Sequence, residues 1–128
     1  MQRYLNEATP TLNYKLSFIG HSMGGVVIRT ALCYLENIDR HLYSYISLSA
    51  PHLGYLYEPS THIQAGLWFM NTWHKATSIE QICVRDKEDL RQSFLYKLSK
   101  SKTLDKFKQI ALVGSIQDKY IPFESSRV

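Results

Sequence analysis

Apolar residues along the chain fall into runs of two kinds. From Met23 onward Val27, Ile28, Ala31, Leu32, Leu35 and Ile38 recur at spacings of three and four, the stripe of a helix packed on one face. Just before it, Leu12 to Ile19 holds Leu16, Phe18 and Ile19 beside a glycine, a short apolar run that reads as a buried strand. Tyr43, Tyr45, Ile46 and Leu48 place a second strand over Leu42 to Ser49. Ala50-Pro51 closes it, because proline has no N–H for a continuing ladder. Ile110 to Val113 place a third strand over about Phe107 to Val113, ending at Gly114-Ser115. Strands joined through helical crossovers run parallel, so the pattern predicts an α/β fold with three parallel strands.

The connection from Pro51 to Lys106 is far longer than the dozen or so residues a minimal crossover needs. Helices are predicted near Thr61 to Trp73 and Lys87 to Ser99, with a further one over Ser78 to Val84. The expected organisation is a single partial domain over 1–128, with a cap-like helical insertion at about 55–105. Within that insertion Gly66 to Trp73 is aromatic-rich. It fits a cap or acyl-chain pocket and, by the helical spacing of Leu67, Met70 and Trp73, equally a helix packed on a core.

Between the first strand and the first helix stands Gly20-His21-Ser22-Met23-Gly24, a GxSxG turn. Such a turn strains the serine backbone and lifts its Oγ above the sheet, where a substrate carbonyl can approach. Gly20 and Gly24 are expected to stand where a β-carbon would collide, and Gly25 to relax the same contact. The backbone N–H of Met23, at the helix start, is placed to donate to a developing oxyanion. The rival reading, a phosphate-binding turn, fits poorly. Ser22 occupies the second glycine of a GxGxxG pattern, and no Gly-Lys-Ser/Thr follows.

Leu16 to Gly25 resembles the elbow of the lipase-like putative serine esterases, a family of the α/β-hydrolase superfamily. Ser47 to Gly54, Phe94 to Ser99 and Ala111 to Pro122 are similar to later segments of that family, in order, so the resemblance covers most of the chain. It implies a serine hydrolase of carboxylic esters, lipid esters foremost, that needs no metal or organic cofactor. Ser22 would be the nucleophile, and Asp118, beyond the third strand on the edge that carries Ser22, the triad acid.

Read from the residues alone, Asp118 can also serve as a turn former in Gln117-Asp118-Lys119. Glu58, Asp86 and Glu124 are weaker acid candidates. In this superfamily the triad follows the chain as Ser, then Asp or Glu, then His. His21, His41, His52, His62 and His74 all precede Asp118, so none stands in that order. His21 and His52 are placed at the pocket, and His52 is at best a weak candidate base. The expectation is a C-terminal-half fragment of a hydrolase lacking the catalytic histidine and the loop of the second oxyanion donor. The alternative is a non-catalytic α/β-hydrolase remnant acting as a binding or interaction module.

Composition sets the remaining bounds. With 45% hydrophobic and 12% aromatic residues the 128-residue chain can bury a core, and it has neither a repeat nor a low-complexity tract. No signal-peptide pattern or membrane-spanning run is present, so a cytoplasmic location is expected, with peripheral membrane contact through the aromatic segment left open. Lys97, Lys100, Lys102, Lys106 and Lys108 concentrate the formal charge of +4, read as a solvated face rather than a nucleic-acid surface. Cys33 and Cys83 lack metal-site spacing and are expected to be buried thiols.

Overall fold

The computed structural model describes residues 14–55 and 80–127. Strand β1 (Leu16–His21) leads into helix α1 (Met23–Leu32), and strand β2 (Leu42–Leu48) follows. Helix α2 (Phe94–Lys100) precedes strand β3 (Gln109–Val113). The three strands form one parallel sheet in the order β1-β2-β3, with Phe18 beside Tyr45 and Tyr45 beside Ile110. The chain is therefore of the α/β class, as the strand and helix periods predict.

Two successive right-handed crossovers in one direction fall on the same face of a sheet, and here both helices lie on one side. Leu32 and the partly buried Ile28 of α1 pack with Tyr45, Leu42, Phe107 and Ile38 against Phe18 and Leu112. Helix α2 adds a second layer, setting Leu95 and Leu98 against Val26 of α1. Side chains on the opposite face stay open: Ile19 is 68% exposed, Val113 50% and Leu48 36%.

Several boundaries differ from the periodic pattern. Helix α1 ends at Leu32, although Leu35 and Ile38 still reach the core. Its last turn tightens through a Tyr34 N–H to Ala31 carbonyl bond of 3.0 Å, and Asn37 then takes a left-handed conformation with φ 59°. Asparagine tolerates that region well. The predicted helix over Lys87 to Ser99 is two pieces, a 3-10 turn at Leu90–Gln92 and α2. The break is Ser93, extended at φ −61° and ψ 154°, whose side chain caps α2 by accepting from Tyr96 N–H. Of the Ser78 to Val84 prediction, residues 80–82 are helical; the predicted helix near Thr61 to Trp73, with its aromatic segment, lies outside the described residues. Cys33 is exposed and Cys83 half-buried, and both are free, which corrects the expectation of buried thiols: the shortened α1 leaves Cys33 on its outer end. Among the described residues no helix is long and apolar enough to cross a membrane.

The glycines of the turn separate by contact. A β-carbon on Gly20 would lie 2.6 Å from the Gly25 backbone, and one on Gly25 would lie 2.6 Å from Ala50 Cβ and 2.8 Å from Ser47 Oγ. At Gly24 it would meet nothing within 4 Å, so the expected collision there does not occur: Gly24 faces away from the sheet and Gly25 faces into it. Gly25→Ala should therefore cost about 1–3 kcal/mol from overpacking, whereas Gly24→Ala should be neutral or stabilise by up to about 1 kcal/mol through helix propensity. Urea melts of the two variants check the contrast.

Candidate functional site

The site is built where the three strands end. Ser22 N–H donates to Leu48 carbonyl at 2.8 Å and Ser49 N–H to Val113 carbonyl at 2.7 Å, so the parallel ladder continues just past each strand and fixes the three following loops beside one another. In these loops Ser22 and Ser49 both hold positive φ, at 54° and 45°. Ligands of parallel sheets gather at this carboxyl edge.

Ser22 is the N-cap of α1, a position where serine normally turns its hydroxyl back on the helix backbone. Here φ 54° and ψ −130° prevent it, and the side chain makes no capping bond. Ser22 is 8% exposed, and its Oγ has no hydrogen-bond partner among the described residues. A backbone conformation costing on the order of 1–3 kcal/mol thus holds a hydroxyl out of every local bond that would occupy it. Next to it, Met23 N–H is among the first N–H groups of α1, which have no intrahelical acceptor, and it points from the positive end of the helix.

Asp118 lies in the loop after β3. Its Oδ1 accepts from Tyr120 N–H at 2.8 Å and Ile121 N–H at 3.1 Å, so it shapes the turn as one sequence reading anticipates. Partial burial works against its ionisation, but those two bonds, one from the Ser49 side chain and the nearby His21 outweigh it. The carboxyl titrates below its ordinary value. The turn bonds use Oδ1. An anionic carboxylate facing the β1 and β2 loops can in addition orient an imidazolium.

None of the described histidines bonds to Ser22 Oγ. His21 is exposed at the end of β1, close enough to Asp118 to interact electrostatically. His41 stacks on Tyr14 with ring centroids 3.9 Å apart and has both nitrogens engaged, by the Tyr14 carbonyl and Arg40 Nε. His52 is 2% exposed, between Arg29 and Ser47. Since a guanidinium only donates, Arg29 Nη1 at 3.1 Å makes His52 Nδ1 an acceptor, and Nε2–H then donates to Ser47 Oγ at 2.8 Å. Burial and the adjacent guanidinium push the imidazole down to about 4, so it stays neutral with both nitrogens occupied. It borders a cavity of about 180 Å³ with Leu53, Val84, Leu95 and Tyr96, of which Ser22 is not a lining residue. His62 and His74, like Glu58, lie outside the described residues. Of the other carboxylates, Asp86 accepts from Phe94 N–H at 2.9 Å at the start of α2, and Glu124 is the exposed residue of a 3-10 turn at Phe123–Ser126.

The sequence reading overlooks Arg29. It is the one ionic residue of α1 and it points inward, 2% exposed, donating also to the Leu98 carbonyl of α2 at 3.3 Å. The signal is present: Val26, Arg29 and Leu32, three apart, share the buried stripe. With the 2.9 Å bond from Tyr45 Oη to Gly25 carbonyl, this network ties α1 to β2, to the His52 loop and to α2. Among the described residues no group of His, Cys, Asp or Glu could hold a metal ion.

Two measurements test these assignments. Ser22→Gly, which accepts the backbone angles without strain, should raise stability by about 1 kcal/mol, while Ser22→Ala keeps the strain; thermal melts separate them. For His52, the unfolded chain binds a proton near pH 6.5 and the folded one only near 4. Stability should therefore fall as pH drops through that window, by roughly 3 kcal/mol. His52→Gln, which keeps one acceptor and one donor, should flatten this part of the pH profile.

No solved structure matches this chain. A strained serine between a parallel strand and a helix, a helix-start N–H beside it and a carboxylate at the next strand end form an arrangement suited to acyl transfer. Across residues 2–128 the sequence matches the family described as "Putative serine esterase (DUF676)", and the chain belongs to that family.

Proposed function

We propose that this chain carries the nucleophile and the orienting acid of a hydrolase that cleaves carboxylic esters of lipids. Family membership supports esterase-type chemistry in general. The observation that carries the assignment to Ser22 is its backbone, at φ 54° and ψ −130°, with an Oγ that neither caps α1 nor finds another partner among the described residues. In this reading Ser22 Oγ attacks the ester carbonyl and Met23 N–H donates to the oxyanion. An imidazole outside the described residues takes the serine proton and delivers it to the leaving alcohol. Asp118 orients that imidazole and balances its charge, and water then cleaves the acyl-serine. The open apolar face with Ile19, Leu48 and Val113 supports a further part of the proposal, that this is the nucleophile-bearing portion of a larger hydrolase domain.

Hydrolysis of p-nitrophenyl acetate by the full-length protein tests the roles. Ser22→Ala should remove turnover. Asp118→Asn keeps an oxygen for the Tyr120 and Ile121 N–H groups, so the loop should persist while the rate falls roughly 10²- to 10⁴-fold. Full activity in Asp118→Asn would make Asp118 a turn former only. A well-folded wild type without turnover would favour a non-catalytic binding module.

A further inference from the structure

Ser49, one residue past β2, stands between the loops that carry Ser22 and Asp118. The peptide unit it shares with Leu48 serves both neighbours. Its carbonyl accepts from Ser22 N–H at 2.8 Å, and its N–H donates to the Val113 carbonyl at 2.7 Å. A trans peptide is planar, with C=O and N–H opposed, so one rigid unit fixes the spacing of all three strand ends.

Beyond that unit the backbone leaves the strand. In a continuing strand Ser49 would alternate onto the helix-covered face with Tyr45 and Ser47, both buried. Its φ of 45° turns it out of that line. Glycine adopts this region without cost, whereas a serine there is strained. Such strain persists where the surrounding structure over-determines it. What serine supplies and glycine does not is a hydroxyl, and this half-buried side chain hydrogen-bonds to the Asp118 carboxylate. An anionic carboxylate only accepts, so the hydroxyl donates. Tyr120 N–H and Ile121 N–H, on Oδ1, come from the turn that Asp118 itself forms. The Ser49 bond instead ties Asp118 to the segment that is bonded to Ser22.

Resting on the assignment of Ser22 as nucleophile and Asp118 as orienting acid, we infer that Ser49 is a positioning residue: its hydroxyl sets where the Asp118 carboxylate sits relative to Ser22. It acts through Asp118 and does not touch the substrate. Its loss should lower kcat with KM unchanged, because binding of the ester does not involve it.

The test removes the hydroxyl in two ways in the full-length protein, with p-nitrophenyl acetate as substrate. Ser49→Gly frees the strained backbone and should melt at or above the wild-type temperature, while Ser49→Ala keeps the strain. Both should lose roughly tenfold in kcat. In an Asp118→Asn protein, Ser49→Gly should cause no further loss, because a residue that acts only through the acid has nothing left to position. The Asp118 carboxyl, followed by carbon-13 NMR of aspartate-labelled protein and identified by its absence in Asp118→Asn, should titrate at higher pH in both Ser49 variants, since a donor to its charged form is gone. His21 and Tyr55, which interact with that carboxylate electrostatically, are present throughout. Wild-type kcat in both Ser49 variants, or the same tenfold loss with Asp118 already replaced, would overturn the positioning role and leave Ser22 and Asp118 in theirs. A folded wild type without turnover, with Asp118 still titrating higher in Ser49→Gly, would sink the nucleophile reading and the positioning role with it, leaving the bond as a loop contact.

Discussion

Everything at the site depends on how closely β1 and α1 approach each other. Gly20 lies against the Gly25 backbone, and Gly25 in turn against Ala50 and Ser47 of the neighbouring strand and loop. No side chain larger than hydrogen fits at either contact. The chain must reverse between them within a few residues, and Ser22 bears the cost in its backbone angles. The same constraint withholds its hydroxyl from capping the helix. Strain and a hydroxyl left without a partner among the described residues are thus two results of one packing contact.

A contact that tight needs support, and the support is polar. Tyr45 holds the Gly25 carbonyl, His52 joins Ser47 to Arg29, and Arg29 reaches the Leu98 carbonyl of α2. Among the described residues this buried guanidinium has no carboxylate, which costs stability, and its Nε has no acceptor. In return it fixes the helix that carries Met23 against two separate segments. A neutral His52 suits this arrangement, because a second cation beside Arg29 would break it.

How much of this could be read from the sequence varied with the range of the interaction. Parallel strands and the helix after the elbow are local patterns, and the apolar spacing shows them directly. The GxSxG turn likewise announces a short-range steric demand. What the spacing does not encode is direction across space. It could not tell Gly24 from Gly25, because only the position of Ala50 and Ser47 makes the second indispensable. Nor could it show that His52, placed by its loop at the pocket, turns into the core to meet an arginine of α1. Both readings of Asp118 were legible, and the turn bonds are observed alongside a lowered carboxyl. The end of α1 escaped the pattern because Leu35 and Ile38 reach the core from beyond the helix, so apolar periodicity overshot the hydrogen bonding.

The central claim is that the elbow makes Ser22 a nucleophile. Cleavage after Lys15 and Arg29 gives a peptide, residues 16–29, that contains Ser17 and Ser22. After exposure of the full-length protein to a fluorophosphonate, fragmentation of this peptide should place the phosphonyl group on Ser22 alone, with none in Ser22→Ala. A folded protein left unmodified at Ser22, or modified equally at Ser17, would contradict the account.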